Sequence, residues 1–213
     1  LLRRDTYAEE SFSPEHSQFK EDHNAMFANL AEYCGGAEAC CFYLDGPAGQ
    51  TTASLLQAGF PRSQLYTANW HSTTCEALQE APQSLPHDHV VCCRAAEALR
   101  SGTGAFGSVC FHGLYIDGCS GLTRPLVDCI EALFCASRAS LLPPRFAVGC
   151  TLTEAEPSGT PVADREVVVH RALAAACRRV GYRMCHVADE PWLYNADPRT
   201  PKKQGTTLTF WMV

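Results

Sequence analysis

An acid at the end of an apolar run, followed at once by small residues, is the sharpest chemical feature of this chain. Cys40-Cys41-Phe42-Tyr43-Leu44 leads into Asp45, and Gly46-Pro47-Ala48-Gly49-Gln50-Thr51-Thr52 follows. The stretch reads as a buried strand, a tight turn and a helix start. A cofactor can lie across the carboxyl end of a parallel sheet, against such a helix N-terminus. A carboxylate there suits a cationic group better than a pyrophosphate. Small residues at Gly46–Gly49 let the backbone approach a ligand closely. The same residues also read as a helix-capping Asp in a strand–helix turn.

Two other nucleotide chemistries fit the turn poorly. A phosphate-binding loop needs a lysine where Gln50 stands, and longer glycine spacing. A nicotinamide fold needs Gly-x-Gly-x-x-Gly, which Gly46 and Gly49 do not supply.

The elements that position this turn follow from punctuation and periodicity. Ser13-Pro14-Glu15 is a helix start, and Phe19, His23, Met26, Phe27 and Leu30 recur at helical spacing until Gly35-Gly36. Strands are expected at 40–44, 64–68, 89–93, 108–116 and 145–152. Helices are expected at 51–58, from Ser72 or Thr73 to 79, and at 95–100, 122–139 and 162–180. Two last strands, 183–188 and 206–213, have no helix between them and should pair antiparallel. Alternating strands and helices imply a parallel sheet with right-handed crossovers. The fold class is α/β: a Rossmann-like, seven-stranded, mainly parallel sheet with an antiparallel C-terminal strand and helices on both faces. An N-terminal helical extension, 1–36, would precede the main domain, 37–213.

This element order, with Asp45-Gly46-Pro47-Ala48-Gly49-Gln50-Thr51 after the first strand, resembles the class I S-adenosylmethionine-dependent methyltransferases. The resemblance covers 40–213. Against the acid-x-Gly-x-Gly-x-Gly pattern of that family, Asp45 matches the acid and Gly49 the middle glycine. Pro47 and Thr51 replace the outer glycines. The resemblance implies S-adenosylmethionine as cofactor, its ammonium held by Asp45 directly or through water, and its methionine part against Gly46–Gly49. It places Asn69 where an acid usually grips the ribose hydroxyls; an amide can accept from one hydroxyl and donate to another. Trp70 would stack on adenine or else pack in the core. In Cys93-Arg94-Ala95, Arg94 replaces an acid of the family and Ala95 keeps its small residue near the adenine. Asp117, ending Leu114-Tyr115-Ile116, falls at the family's active-site position. There it could bind a metal, take a proton or orient the acceptor; alternatively it caps the next helix. The Asp-Pro-Pro-Tyr motif of amino-methylating nucleic-acid enzymes is absent.

Composition bounds the rest. The 213 residues carry 17 basic and 23 acidic side chains, a net charge of −6, with 46% hydrophobic residues. No broad basic footprint for nucleic acid exists, and no apolar run spans a bilayer. The start, Leu1-Leu2-Arg3-Arg4-Asp5, is not followed by a signal-type apolar segment, although its lack of Met leaves a preceding targeting segment open. An intracellular, cytoplasmic protein is expected, with most of its 13 cysteines reduced and buried. Cys40-Cys41 and Cys92-Cys93 lie on expected strands, where neighbours point to opposite faces, so neither pair chelates one metal and no metal is expected. Cys119 is a thiol at the site mouth, and His71 follows Trp70 towards the cleft. The loop from Asp189 to Lys203 mixes aromatic and basic residues, which suits an acceptor or a solvated hairpin. The reading is an enzyme performing in-line methyl transfer to an acceptor left unassigned. A small molecule or protein is favoured over nucleic acid. The alternatives are a non-catalytic methyltransferase-like subunit, a nucleic-acid methyltransferase and a nicotinamide-dependent oxidoreductase.

Overall fold

In the computed structural model, seven strands form one sheet in the order β3-β2-β1-β4-β5-β7-β6. The structure describes residues 14–101, 104–117, 124–135, 141–153, 162–185, 192–194 and 207–213. The strands are β1 Cys41–Tyr43, β2 Leu65–Ala68, β3 Val90–Val91, β4 Gly113–Asp117, β5 Ala147–Thr153, β6 Trp192–Tyr194 and β7 Thr207–Met212. The helices are α1 Pro14–Gly35, α2 Gln50–Gln57, α3 Ser72–Gln79, α4 Ala95–Ser101, α5 Arg124–Leu133 and α6 Val162–Arg179. Strands β1 to β5 pair in parallel, and β7 runs antiparallel to both β5 and β6.

Both faces of the sheet are covered, as the near-continuous apolar strands require. On one face, Phe27, Ala28, Leu30 and Ala31 of α1 pack with Leu55 of α2, Cys75 and Leu78 of α3, and Cys41, Tyr43 and Tyr115 of the sheet. On the other, α4, α5 and α6 bury Leu99, Ile130, Leu133, Val169 and Leu173 against Phe42, Leu114, Ile116 and Val148. Helix α1 is therefore seated on the sheet. A Cβ on Gly113 would lie 2.7 Å from the Ala31 Cβ and 2.8 Å from the Phe27 ring, so only glycine permits this approach.

Several element bounds differ from the sequence expectation. The expected strand 108–116 begins only at Gly113. The N–H groups of His112 and Gly113 both donate to the Cys40 carbonyl, at 2.8 and 3.2 Å, which kinks the chain before it enters the ladder. Strand β3 is two residues long, because a 3₁₀ turn at His87–His89 precedes it and Cys93 N–H turns back to Val91 O at 3.0 Å. His71, rather than Ser72 or Thr73, occupies the N-cap position of α3. Helix α5 ends at Leu133, and residues 118–123 and 136–140 of the expected helix region lie outside the described residues. Of the strand expected at 183–188, residues 183–185 are not in a strand, although Cys185 exchanges two backbone hydrogen bonds with Val213; 186–188 lie outside the described residues, and β6 falls in the stretch expected to be a loop.

Candidate cofactor and acceptor site

Register brings the predicted site residues into one row. Tyr43 is opposite Thr67 on one side and Tyr115 on the other. Two residues further on, Asp45, Asn69 and Asp117 stand side by side at the carboxyl ends of β1, β2 and β4. Asp117 in turn faces Thr151 of β5, and Thr67 faces Val90, which puts Cys92 beyond Asn69. Alternation along strands sends this row to the α1–α2–α3 face.

The Asp45 carboxylate is buried and turned inward. Its Oδ1 accepts from Gly46 N–H at 3.0 Å and Thr51 N–H at 3.4 Å. Its Oδ2 accepts from Thr52 N–H at 2.8 Å and the Thr52 hydroxyl at 2.7 Å. Four donors fill the lone-pair sites a carboxylate offers, and two of them, the N–H groups of Thr51 and Thr52, are orphan donors at the start of α2. The capping reading is the one these bonds describe. Burial pushes the Asp45 carboxyl above its ordinary value, while bonds from Thr52, Thr51 and Gly46 pull it back. Tyr43 extends the network through a 2.9 Å hydroxyl contact with Thr52.

Gly49 is the N-cap residue of α2 at φ 62°, a left-handed conformation suited to glycine. Behind it lies Gln83, a buried side chain in the loop after α3 that sequence reasoning passed over. Gln83 Nε2 donates to the Ala48 carbonyl at 2.8 Å, and a Cβ on Gly49 would meet that nitrogen at 2.6 Å. Arg62 secures the loop by donating from Nε to the Gln83 carbonyl at 2.6 Å. The outer side of the turn is open: Gly46 and Pro47 are exposed, and nothing lies within 4 Å of a Cβ placed on Gly46.

Asn69 ties the second strand to this turn. Its Nδ2 donates to the Asp45 carbonyl at 3.0 Å, and its Oδ1 accepts His71 N–H at 2.9 Å. Each end of an amide has one further site. Trp70 is 67% exposed, so the core-packing alternative does not describe it. Its ring lies 4.1 Å from the His71 ring, centroid to centroid. Ala95 opens α4 and packs against the α4–α5 side of the core.

Asp117 is ion-paired with Lys20 of α1, and the Asp117 side chain is only 5% exposed. No local pattern marked Lys20: it reaches the row because α1 folds across the sheet. Cys119 and the 189–191 and 195–203 parts of the late loop lie outside the described residues. No described helix is long and apolar enough to cross a membrane.

No protein-family model and no curated protein matches the sequence. Solved structures do match in fold. Spermidine synthase from Thermotoga maritima superposes with a TM-score of 0.54 at 12% identity, over 91% of this chain and 60% of that one. An rRNA methylase from Streptococcus thermophilus gives 0.53 at 8% identity, over 88% and 94%. Fibrillarin from Aeropyrum pernix, solved with natively bound S-adenosyl-L-methionine, gives 0.51 at 14% identity, over 91% and 74%. The chain thus spans three fifths of the spermidine synthase it matches. By its strand order and these likenesses, this chain has a Rossmann-like α/β fold, in common with these three proteins.

Proposed function

We propose that this chain is an S-adenosylmethionine-dependent methyltransferase whose acceptor is a small molecule or a protein. The observation that carries the reading is the row Asn69–Asp45–Asp117 along the carboxyl ends of adjacent strands, beside an open turn at Gly46. The residues present suit the cofactor in three ways. Gly46 leaves room beside its backbone. Asn69 keeps one donor and one acceptor site, which matches a pair of ribose hydroxyls. Trp70 presents an exposed ring beside them.

Bound S-adenosylmethionine supplies an activated methyl on a sulfonium, so the protein's share is binding and orientation. Asp45 contributes by fixing the turn through its four hydrogen bonds. Gly46, Pro47, Ala48, Gly49 and Thr51 form the wall of the methionine part, and Ala95 borders the adenine side. Asp117 orients an acceptor or takes its proton, after exchanging Lys20 for that partner. Calorimetric titration with S-adenosylmethionine and its demethylated product tests this. Binding of either, with no comparable binding of NADH, supports the reading. Tight NADH binding without response to S-adenosylmethionine ends it.

One observation favours a second reading, a non-catalytic subunit of the same fold. The Asp117 carboxylate, the group best placed to serve an acceptor, is already paired with Lys20. A screen of metabolites, proteins and RNA with methyl-labelled cofactor separates the two. Cofactor binding with no labelled acceptor supports the subunit.

A further inference from the structure

Helix α1 runs back along β4. Phe27 and Ala31 lie over Gly113 at the start of that strand, and Lys20 reaches the Asp117 carboxylate at its end. The Asp117 side chain is almost wholly withdrawn from water, and that of Lys20 largely so. The two carboxylates of the row are therefore used differently. Asp45 is filled by four donors of its own turn. Asp117 takes a primary ammonium, carried on an unbranched stem. Its register neighbour on β5 is neutral: Thr151, whose hydroxyl contacts that of Tyr115 at 3.0 Å.

We propose that Asp117 is a binding site for primary alkylammonium groups, that Lys20 is its built-in occupant, and that the acceptor which takes the place of Lys20 is a primary amine. Binding stands on the ion pair; transfer to the amine rests on the methyltransferase reading. Charge decides the class. A withdrawn carboxylate that loses its ammonium is left with that charge uncompensated, so whatever displaces Lys20 has to bring a positive charge with it. An alcohol, a thiol or a carbonyl compound brings none, and an acid adds a second negative charge. Shape narrows the class. The stem of Lys20 is slender, and its ammonium turns N–H donors to the carboxylate; a quaternary ammonium has the charge without the donors. An amine held there gives one proton through Asp117 to water. Its nitrogen then displaces the sulfur from the methyl carbon, leaving the electron pair of the broken bond on the sulfur, and a secondary ammonium leaves the site.

The test vacates the site and offers the ligand back. Lys20→Ala should lower the urea midpoint, and butylammonium chloride should raise it again, saturably. Sodium chloride and tetramethylammonium chloride at the same ionic strength, and butanol, should not. Wild type, where Lys20 holds the site, and Lys20→Ala with Asp117→Asn should show no such rise. If Lys20→Ala does not fold alone, it is refolded with butylammonium: recovery supports the site, and failure overturns it. An equal response to sodium chloride, or a butylammonium response in the double variant, also overturns it. Methyl-labelled cofactor with butylamine, a linear diamine and a lysine-containing peptide then tells a free amine from a protein side chain. Label absent from every amine, or entering an alcohol or thiol in preference, overturns the acceptor class. Amine rescue in a chain that calorimetry shows not to bind S-adenosylmethionine keeps the ammonium site and ends the methyltransferase reading. Cofactor binding without amine rescue does the reverse.

Discussion

Lys20, on the first helix, is ion-paired with Asp117 at the end of the fourth strand, and the two side chains are 17% and 5% exposed. The pair fastens α1 across the carboxyl end of the sheet. It does so at the position from which an acceptor would be addressed. Removing one member of a withdrawn pair costs more than the pair contributes, because the other charge is left without compensation.

Lys20→Met should therefore lower unfolding stability by about 3 kcal/mol, read from urea denaturation. Lys20→Met with Asp117→Leu should lose less than the two single changes together. If Asp117 serves an acceptor, Asp117→Asn should reduce turnover by roughly a hundredfold to ten-thousandfold with little change in cofactor affinity. Normal turnover in Asp117→Asn would restrict the residue to its pairing with Lys20.

His23 lies one turn after Lys20 and is fully buried. Burial, and then the Lys20 charge, lowers its imidazole to about 3. The folded chain refuses a proton that the unfolded chain accepts near pH 6.5. Stability from this group is complete above that value and is lost as pH falls from 6.5 towards 3. At about 1.4 kcal/mol per unit, the loss by pH 5 is roughly 2 kcal/mol. The urea midpoint should fall between pH 7 and pH 5, and His23→Leu should flatten that fall. An unchanged slope in His23→Leu would remove His23 as its source.

Gly49 and Gln83 are coupled by space. A Cβ on Gly49 would lie 2.7 Å from the Gln83 Cγ, in a left-handed backbone that itself costs an alanine about 1–2 kcal/mol. Gly49→Ala should destabilise the protein and weaken S-adenosylmethionine binding by moving Gln83 off the Ala48 carbonyl. Gln83→Ala should give a smaller loss. The double variant should be more stable than the sum of the single effects, a coupling that denaturant titration reads directly. Strict additivity would show that the two side chains do not compete for one space.

The positions at strand ends were legible because the signal there is local. Asp45, Asn69 and Asp117 each close an apolar run with a polar residue, and register then sets the three in a row; Gly49 is marked by the small-residue turn after Asp45. Lys20, Thr52 and Gln83 carried no such signal. Lys20 arrives by the crossing of α1, and Gln83 by a loop that passes behind the turn. Asp45 was legible as a residue and ambiguous as a role, since capping and cation binding ask for the same carboxylate. Val109-Cys110-Phe111 is an apolar run like a strand, yet Phe106 and Phe111 are drawn into the core beside Phe42 and Tyr66, and pairing waits until Gly113.

Trp70 offers the cleanest separation of a binding role from a folding role. With 67% of its surface exposed, it contributes little to the core, so Trp70→Ala should leave unfolding stability within about 0.5 kcal/mol of wild type. If its ring stacks on the adenine, the same change should weaken S-adenosylmethionine binding by about 1–3 kcal/mol, the range for an aromatic ring against a base. Trp70→Phe should keep most of the affinity, because a flat apolar face survives. Asn69→Ala is the companion measurement. It frees the Asp45 carbonyl and His71 N–H together, so it should lower affinity and stability in parallel, where Trp70→Ala lowers affinity alone. Calorimetry with S-adenosylmethionine and urea titration of the same three variants decide it. Wild-type affinity in Trp70→Ala would place the adenine elsewhere along the β2–β3 edge.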